Sequence, residues 1–147
     1  SRRTGIDAGP SRLGQALARK LRPGSVLLLS GPIGTGKTHF ARAVIRCLLG
    51  DETDVPSPTF TLVQTYERDG GEIWHADLYR LSSPDEVIEL GLEAAFETGI
   101  CLVEWPDRLG LLTPAQALTV SFAFEGDGRR VTFHPADHPL LLQPEAP

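Results

Sequence analysis

Residues 31–38 read Gly-Pro-Ile-Gly-Thr-Gly-Lys-Thr, a string that dictates what must lie on either side of it. Glycines at 31 and 36 let the backbone wrap an anion and present successive N–H groups as a nest. A helix has to follow at once, so that its positive end faces the same anion. A buried strand has to precede, to hold the loop at a sheet edge. Both are legible. Val26 to Leu29 is a continuous apolar run, the pattern of a parallel strand covered on both faces. Thr38 to Leu49 sets Phe40, Ala41, Val44, Ile45, Leu48 and Leu49 at helical spacing, and Gly50 stops it. Lys37 then supplies a compact cation to the β and γ phosphates of a nucleotide, and the Thr38 hydroxyl is placed to ligate magnesium. Ile33, Gly34, Thr35, Gly36 and His39 complete the expected nucleotide contacts. The chain has only two lysines, Lys20 and Lys37, and otherwise uses arginine. One of the two stands where a point charge suits better than a planar fork.

The remaining elements predict an α/β fold of the P-loop NTPase type, with a mostly parallel central sheet, antiparallel hairpins and flanking helices. Leu13, Ala16, Leu17 and Leu21 give a helical spacing over Ser11 to Leu21, stopped by Pro23-Gly24. Pro56-Ser57-Pro58 breaks the chain before a strand over Thr59 to Glu67, which turns at Asp69-Gly70-Gly71 into a second strand over Glu72 to Leu78. Ser83 caps a helix with Pro84 at its first position, and a short helix over Leu92 to Phe96 follows. Ile100 to Val103 is another fully apolar strand, ended by Glu104. Ala117 to Phe124 and Arg129 to Phe133 flank Gly126-Asp127-Gly128 as a second hairpin. At 147 residues and 41% apolar the chain is expected to form one domain over 1–147, with the proline-rich 135–147 as a loose tail.

Charge and cysteine content narrow the function. Net charge is -5, whereas a domain gripping nucleic acid by its phosphates presents a basic face, so direct RNA or DNA binding is disfavoured. Arg19-Lys20, Arg22, Arg42, Arg46 and Arg129-Arg130 read as ordinary solvated faces. Cys47 and Cys101 lie in apolar runs without metal or disulfide spacing and read as buried thiols of a reducing compartment. No apolar run approaches the roughly 18 residues of a membrane span, and Ser1-Arg2-Arg3 does not lead into a signal-peptide core. A cytoplasmic protein with no membrane contact is expected.

A phosphate loop of this kind works with an acid at the end of a neighbouring strand. Glu104 follows four apolar residues and ranks first for magnesium. Asp77, at the end of Ile73-Trp74-His75-Ala76-Asp77, has a water-positioning or switch role, and Lys37, Asp77 and Glu104 together form the catalytic set. Ser57 and Thr59 stand where nucleotide switches sense the γ phosphate, although by position alone an ordinary ST turn before a strand is the favoured reading. The chain has no asparagine and so no Asn-Lys-x-Asp segment for guanine, which points to ATP. His134 and His138 are four apart, but Pro135 and Pro139 oppose a helical zinc pair. His39 reads as a helix residue beside the loop, His75 as an inward or edge strand position, and Trp105 as either a core residue or an aromatic at the active edge.

Four segments together resemble the bacterial TsaE family, the ATPase component of tRNA threonylcarbamoyladenosine synthesis. They are Gly31 to Thr38, Ser57-Pro58-Thr59-Phe60-Thr61-Leu62, His75-Ala76-Asp77-Leu78-Tyr79-Arg80-Leu81 and Leu102-Val103-Glu104-Trp105-Pro106. The resemblance covers roughly residues 7 to 133 and rests on the order and spacing of all four. It implies Mg2+-dependent ATP hydrolysis in a complex with TsaD, which carries the transfer chemistry, and TsaB, with tRNA met through those partners. It makes Lys37 a phosphate ligand, Thr38 and Glu104 magnesium ligands, Ser57 to Thr59 a switch, Asp77 and Trp105 functionally sensitive, and sets the adenine near Asp7 to Ser11. Pro32, Thr35 and His39 depart from the family's usual Gly-Asp-Leu-Gly-Ala-Gly-Lys-Thr-Thr loop, and none removes a required group. A small-molecule kinase and a nucleotide-sensing module without turnover remain the alternatives.

Overall fold

The structure of the chain, a computed structural model, describes residues 3–5 and 9–142. Its elements in order are β1 (Arg3–Gly5), α1 (Pro10–Ala18), β2 (Val26–Ser30), α2 (Lys37–Leu49), β3 (Val63–Arg68), β4 (Gly71–Asp77), α3 (Asp85–Glu89), α4 (Leu92–Thr98), β5 (Ile100–Glu104), a 3-10 segment (Pro106–Leu112), β6 (Leu118–Glu125), β7 (Gly128–His134) and α5 (Pro139–Leu142). The strands form one mixed sheet in the order β1-β7-β6-β2-β5-β4-β3. β6, β2, β5 and β4 run parallel at its centre, while β3 and β7 close the two expected hairpins antiparallel.

The apolar runs are explained by what covers each face. Side chains alternate along a strand, so Leu27 and Leu29 of β2 join the cluster under α1 and α2, with Phe40, Val44 and Ile45. Val26 and Leu28 face the other way, into the cluster under α3 and α4 with Val87, Leu92 and Phe96. Neither face of β2 or β5 meets water, and so neither strand can carry a polar alternation. Cys101 shares this fate: burial pushes its thiol up to about 12. A thiol reagent at pH 8 is therefore expected to label half-buried Cys47 first and Cys101 only after denaturation, because the thiolate is the nucleophile. Mass-spectrometric counting of labels before and after unfolding checks this.

Two expectations change. The strand expected from Thr59 begins only at Val63. Leu62 N–H instead closes a turn onto the Pro58 carbonyl at 2.7 Å, and Leu62 sits at φ 68, a left-handed conformation that no strand continues through. The segment 56–62 is thereby a loop over the sheet edge. Residues 135–142, expected as part of a loose tail, include the helical turn α5, whose Leu140 is buried in the α1/α2-side core. Burial of Leu140, with Leu141 packed partly against the same core, outweighs the prolines around it. Residues 143–147 lie outside the described residues. Among the described residues no helix is long and apolar enough to cross a membrane.

Candidate functional site

Strands β2, β4 and β5 end together, and the loop 31–36 leaves β2 at that edge, the place where open α/β sheets form crevices. Two of its glycines are required by geometry. A Cβ on Gly31 (φ 132) would lie 2.2 Å from the Phe122 carbonyl oxygen, and one on Gly36 (φ 106) 2.6 Å from Pro10 Cγ. Gly36 is also the N-cap of α2, so the start of the thirteen-residue helix points its unpaired N–H groups into the loop. The result is a cavity of about 410 Å3 at this edge.

Lys37 enters the cavity from the first turn of α2. Its Nζ donates to the Gly31 carbonyl at 2.5 Å and lies 3.7 Å from the centre of the Trp105 ring. Burial pushes its pKa below the ordinary lysine value, while Glu104, then Asp77 and Asp107, pull the other way. Trp105 reaches that position because its own backbone is left-handed, at φ 58 and ψ 55, an uncommon state for a bulky residue. Tyr79 packs against the same indole, tilted to it, with ring centres 4.8 Å apart. Trp105 is thus an edge aromatic over the lysine.

The acids come together as their strands dictate. In the β4–β5 register Asp77 stands opposite Glu104. Thr38 Oγ1 donates to Glu104 Oε1 at 3.0 Å, joining the helix start to the end of β5. Glu104 Oε2 lies 2.7 Å from His75 Nε2. Asp77 accepts from the Tyr79 backbone N–H at 3.0 Å and from Thr59 Oγ1 at 3.4 Å, so the 56–62 loop touches the edge through Thr59. Ser57 Oγ and Thr59 Oγ1 are 2.7 Å apart.

Of the residues expected at the site, Ile33, Gly34, Gly36, Lys37, Thr38, His39, Thr59, Asp77 and Glu104 line the cavity. Thr35 does not line it; its buried hydroxyl donates to the Pro32 carbonyl at 2.6 Å. Ser57 meets the cavity only through Thr59, and Asp7 lies outside the described residues. Sequence reasoning missed Arg129, read as a solvated face. It lines the cavity and donates to the Gly34 carbonyl at 3.3 Å, whereas Arg130 pairs with Glu125. The hairpin carried a usable signal, since residues 129 and 130 must point to opposite faces of β7. His75 was missed as a partner of Glu104, for that contact depends on strand register. No group of three or more His, Cys, Asp or Glu among the described residues could hold a metal by itself. Mg2+ is commonly held by one or two protein ligands together with phosphate and water. The Thr38–Glu104 pair is a donor set of this kind.

A parallel-centred α/β sheet with a glycine loop, a lysine and strand-end acids around one cavity defines the class of protein. The family model described as "Threonylcarbamoyl adenosine biosynthesis protein TsaE" matches residues 8–131, and the chain belongs to that family. It is 41% identical over 117 residues to the tRNA threonylcarbamoyladenosine biosynthesis protein TsaE of Rickettsia bellii, covering 80% of this chain and 81% of that one. It is 45% identical over 104 residues to the protein of the same name from Rickettsia felis, covering 70% and 61%. The crystal structure of Bacillus subtilis YdiB is similar over 90% of this chain and 84% of that one, with a TM-score of 0.73 and 28% identity. The resemblance carried by the four sequence segments is borne out.

Proposed function

We propose that the chain is an ATPase of the P-loop NTPase fold that uses Mg2+ and supports threonylcarbamoyl modification of the tRNA adenosine next to the anticodon, together with TsaD and TsaB in the cytoplasm. The observation that carries the reading is the Thr38–Glu104 contact. Two residues 66 apart in sequence, one at the helix start and one at a strand end, lie 3.0 Å from each other beside the glycine loop. The names of the relatives support the biosynthetic process, and the cavity supports the nucleotide.

In this reading the loop amides and the first turn of α2 hold the polyphosphate. Lys37 exchanges the Gly31 carbonyl for phosphate oxygens, and Thr38 with Glu104 holds the cation. Magnesium, when bound, neutralises charge on the phosphates. Asp77 and Thr59 orient the attacking water and sense the γ phosphate, and Trp105 with Tyr79 walls the lysine from solvent. A subunit of net charge -5 leaves the grip on tRNA to its partners.

Glu104→Ala is expected to lower magnesium-dependent hydrolysis by at least the roughly tenfold to hundredfold that losing an outer partner of a metal ligand costs, while affinity for ATP in excess EDTA is kept or rises, since one carboxylate facing the polyphosphate is gone. A normal rate with intact metal dependence would move the ligand role to Asp77. Phosphate release from Mg-ATP, measured for the chain alone and with TsaB and TsaD, tests the function as a whole. Release that needs the partners supports it. Rapid transfer of phosphate to a metabolite would make the chain a kinase, and ATP binding with no release even in the full mixture would make it a sensing module.

A further inference from the structure

We propose that His75 is a positioning residue for Glu104: its Nε2–H fixes one carboxylate oxygen so that the other is presented to Thr38 and the cation. The inference rests on the reading of the cavity as a magnesium–nucleotide site.

His75 is 0% exposed and Glu104 3% exposed, and their contact is 2.7 Å. For His75 to hold a carboxylate, which only accepts hydrogen bonds, the imidazole must carry its proton on Nε2. The two Glu104 oxygens are thereby divided: Oε2 belongs to His75, and Oε1 accepts from Thr38 at 3.0 Å. Held at one oxygen, the carboxylate loses the rotation about its terminal torsion that an exposed glutamate keeps. Outer partners of this kind fix ligand orientation at metal sites.

Strand geometry makes the pair specific. Residues 73, 75 and 77 of β4 share one face with 102 and 104 of β5, and Ile73 and Leu102 on that face belong to the apolar core under α1 and α2. His75 sits between that core and the acidic edge, where a leucine would pack without polar cost. The fold keeps a histidine there although its Nδ1 is buried with no hydrogen-bond partner among the described residues. A polar side chain retained with one nitrogen unsatisfied is accounted for by the work of the other nitrogen.

The test uses the full chain and three forms: wild type, His75→Leu, which fills the volume without a donor, and His75→Gln, whose side-chain amide can donate from a similar reach. ATP affinity is measured in EDTA and across a magnesium titration, with melting temperature as the fold control. His75→Leu is expected to raise the half-saturating magnesium concentration about tenfold to a hundredfold and to leave affinity in EDTA within about threefold. His75→Gln is expected to recover most of the loss. A folded His75→Leu with unchanged magnesium dependence overturns the proposal, as does an equal loss in EDTA, which marks a role in cavity shape alone. If His75→Leu does not fold, 15N-resolved spectra of the wild-type imidazole decide: an Nε2-bound, slowly exchanging proton that shifts in Glu104→Gln supports the contact, and an Nδ1-only proton overturns it. A wild-type chain whose nucleotide binding ignores magnesium overturns the site reading itself, and is recognised before any variant is compared.

Discussion

Replacing Lys37 with alanine is expected to weaken ATP binding or turnover by roughly 30-fold to several thousand-fold. The lysine is 5% exposed, and Glu104, Asp77 and Asp107 supply the negative field around it. Without its ammonium a polyphosphate entering the cavity meets those carboxylates uncompensated. Truncating one partner of a buried charge pair costs about 2 to 5 kcal/mol, and about 1.4 kcal/mol is a factor of ten. Stability should respond differently. Burial sets the folded-state pKa of Lys37 below that of the unfolded chain, so the charged form costs the fold stability at neutral pH, and that cost fades as pH rises through the folded value. Lys37→Ala is therefore expected to keep or raise the melting temperature while losing the nucleotide. Calorimetric ATP titration and thermal unfolding of the same sample check both, and unchanged ATP affinity would refute the site assignment.

Gly31→Ala is expected to be the converse, a loss of stability around an intact set of charges. The new Cβ would lie 2.2 Å from the Phe122 carbonyl oxygen, a backbone atom of β6 that no rotamer change can move. The φ of 132 adds a conformational penalty. About 1 to 2 kcal/mol for a disfavoured left-side backbone and about 1 to 3 for overpacking give roughly 2 to 5 kcal/mol. That corresponds to a fall in melting temperature of roughly 5 to 15 °C for a chain of this size. Gly128→Ala is the control. A Cβ there meets only the Glu125 carbonyl oxygen, at 3.7 Å, and the effect should stay within about 0.5 kcal/mol. Equal melting temperatures for the two variants would mean that the loop does not lie against β6 as described.

The sequence carried what is local. Gly31, Gly36, Lys37 and Thr38 announce a loop between strand and helix because each is needed for a backbone or charge reason within eight residues. The runs Val26 to Leu29 and Ile100 to Val103 announce a sheet covered on both faces because neither leaves a polar side to face water. Glu104 was legible as the first charged residue after such a run. What was not legible depends on pairing across the chain. His75 meets Glu104 only through the β4–β5 register, and Arg129 meets Gly34 only because β7 folds back beside the loop. Local preference misled at two places. Thr59 to Leu62 has strand-forming residues, but the turn closed by Pro58 and Leu62 holds Thr59 out where it reaches Asp77. Around Leu140 the prolines suggested a tail, and Leu140, with Leu141 beside it, docks instead.

The most direct measurement is a crystal structure of the chain with Mg2+ and a non-hydrolysable ATP analogue. Expected there are polyphosphate on the amides of residues 34–38, Lys37 Nζ moved from the Gly31 carbonyl to a phosphate oxygen, and the cation held by Thr38 with Glu104. An analogue bound outside this cavity, or a cation held without Thr38 and Glu104, would contradict it.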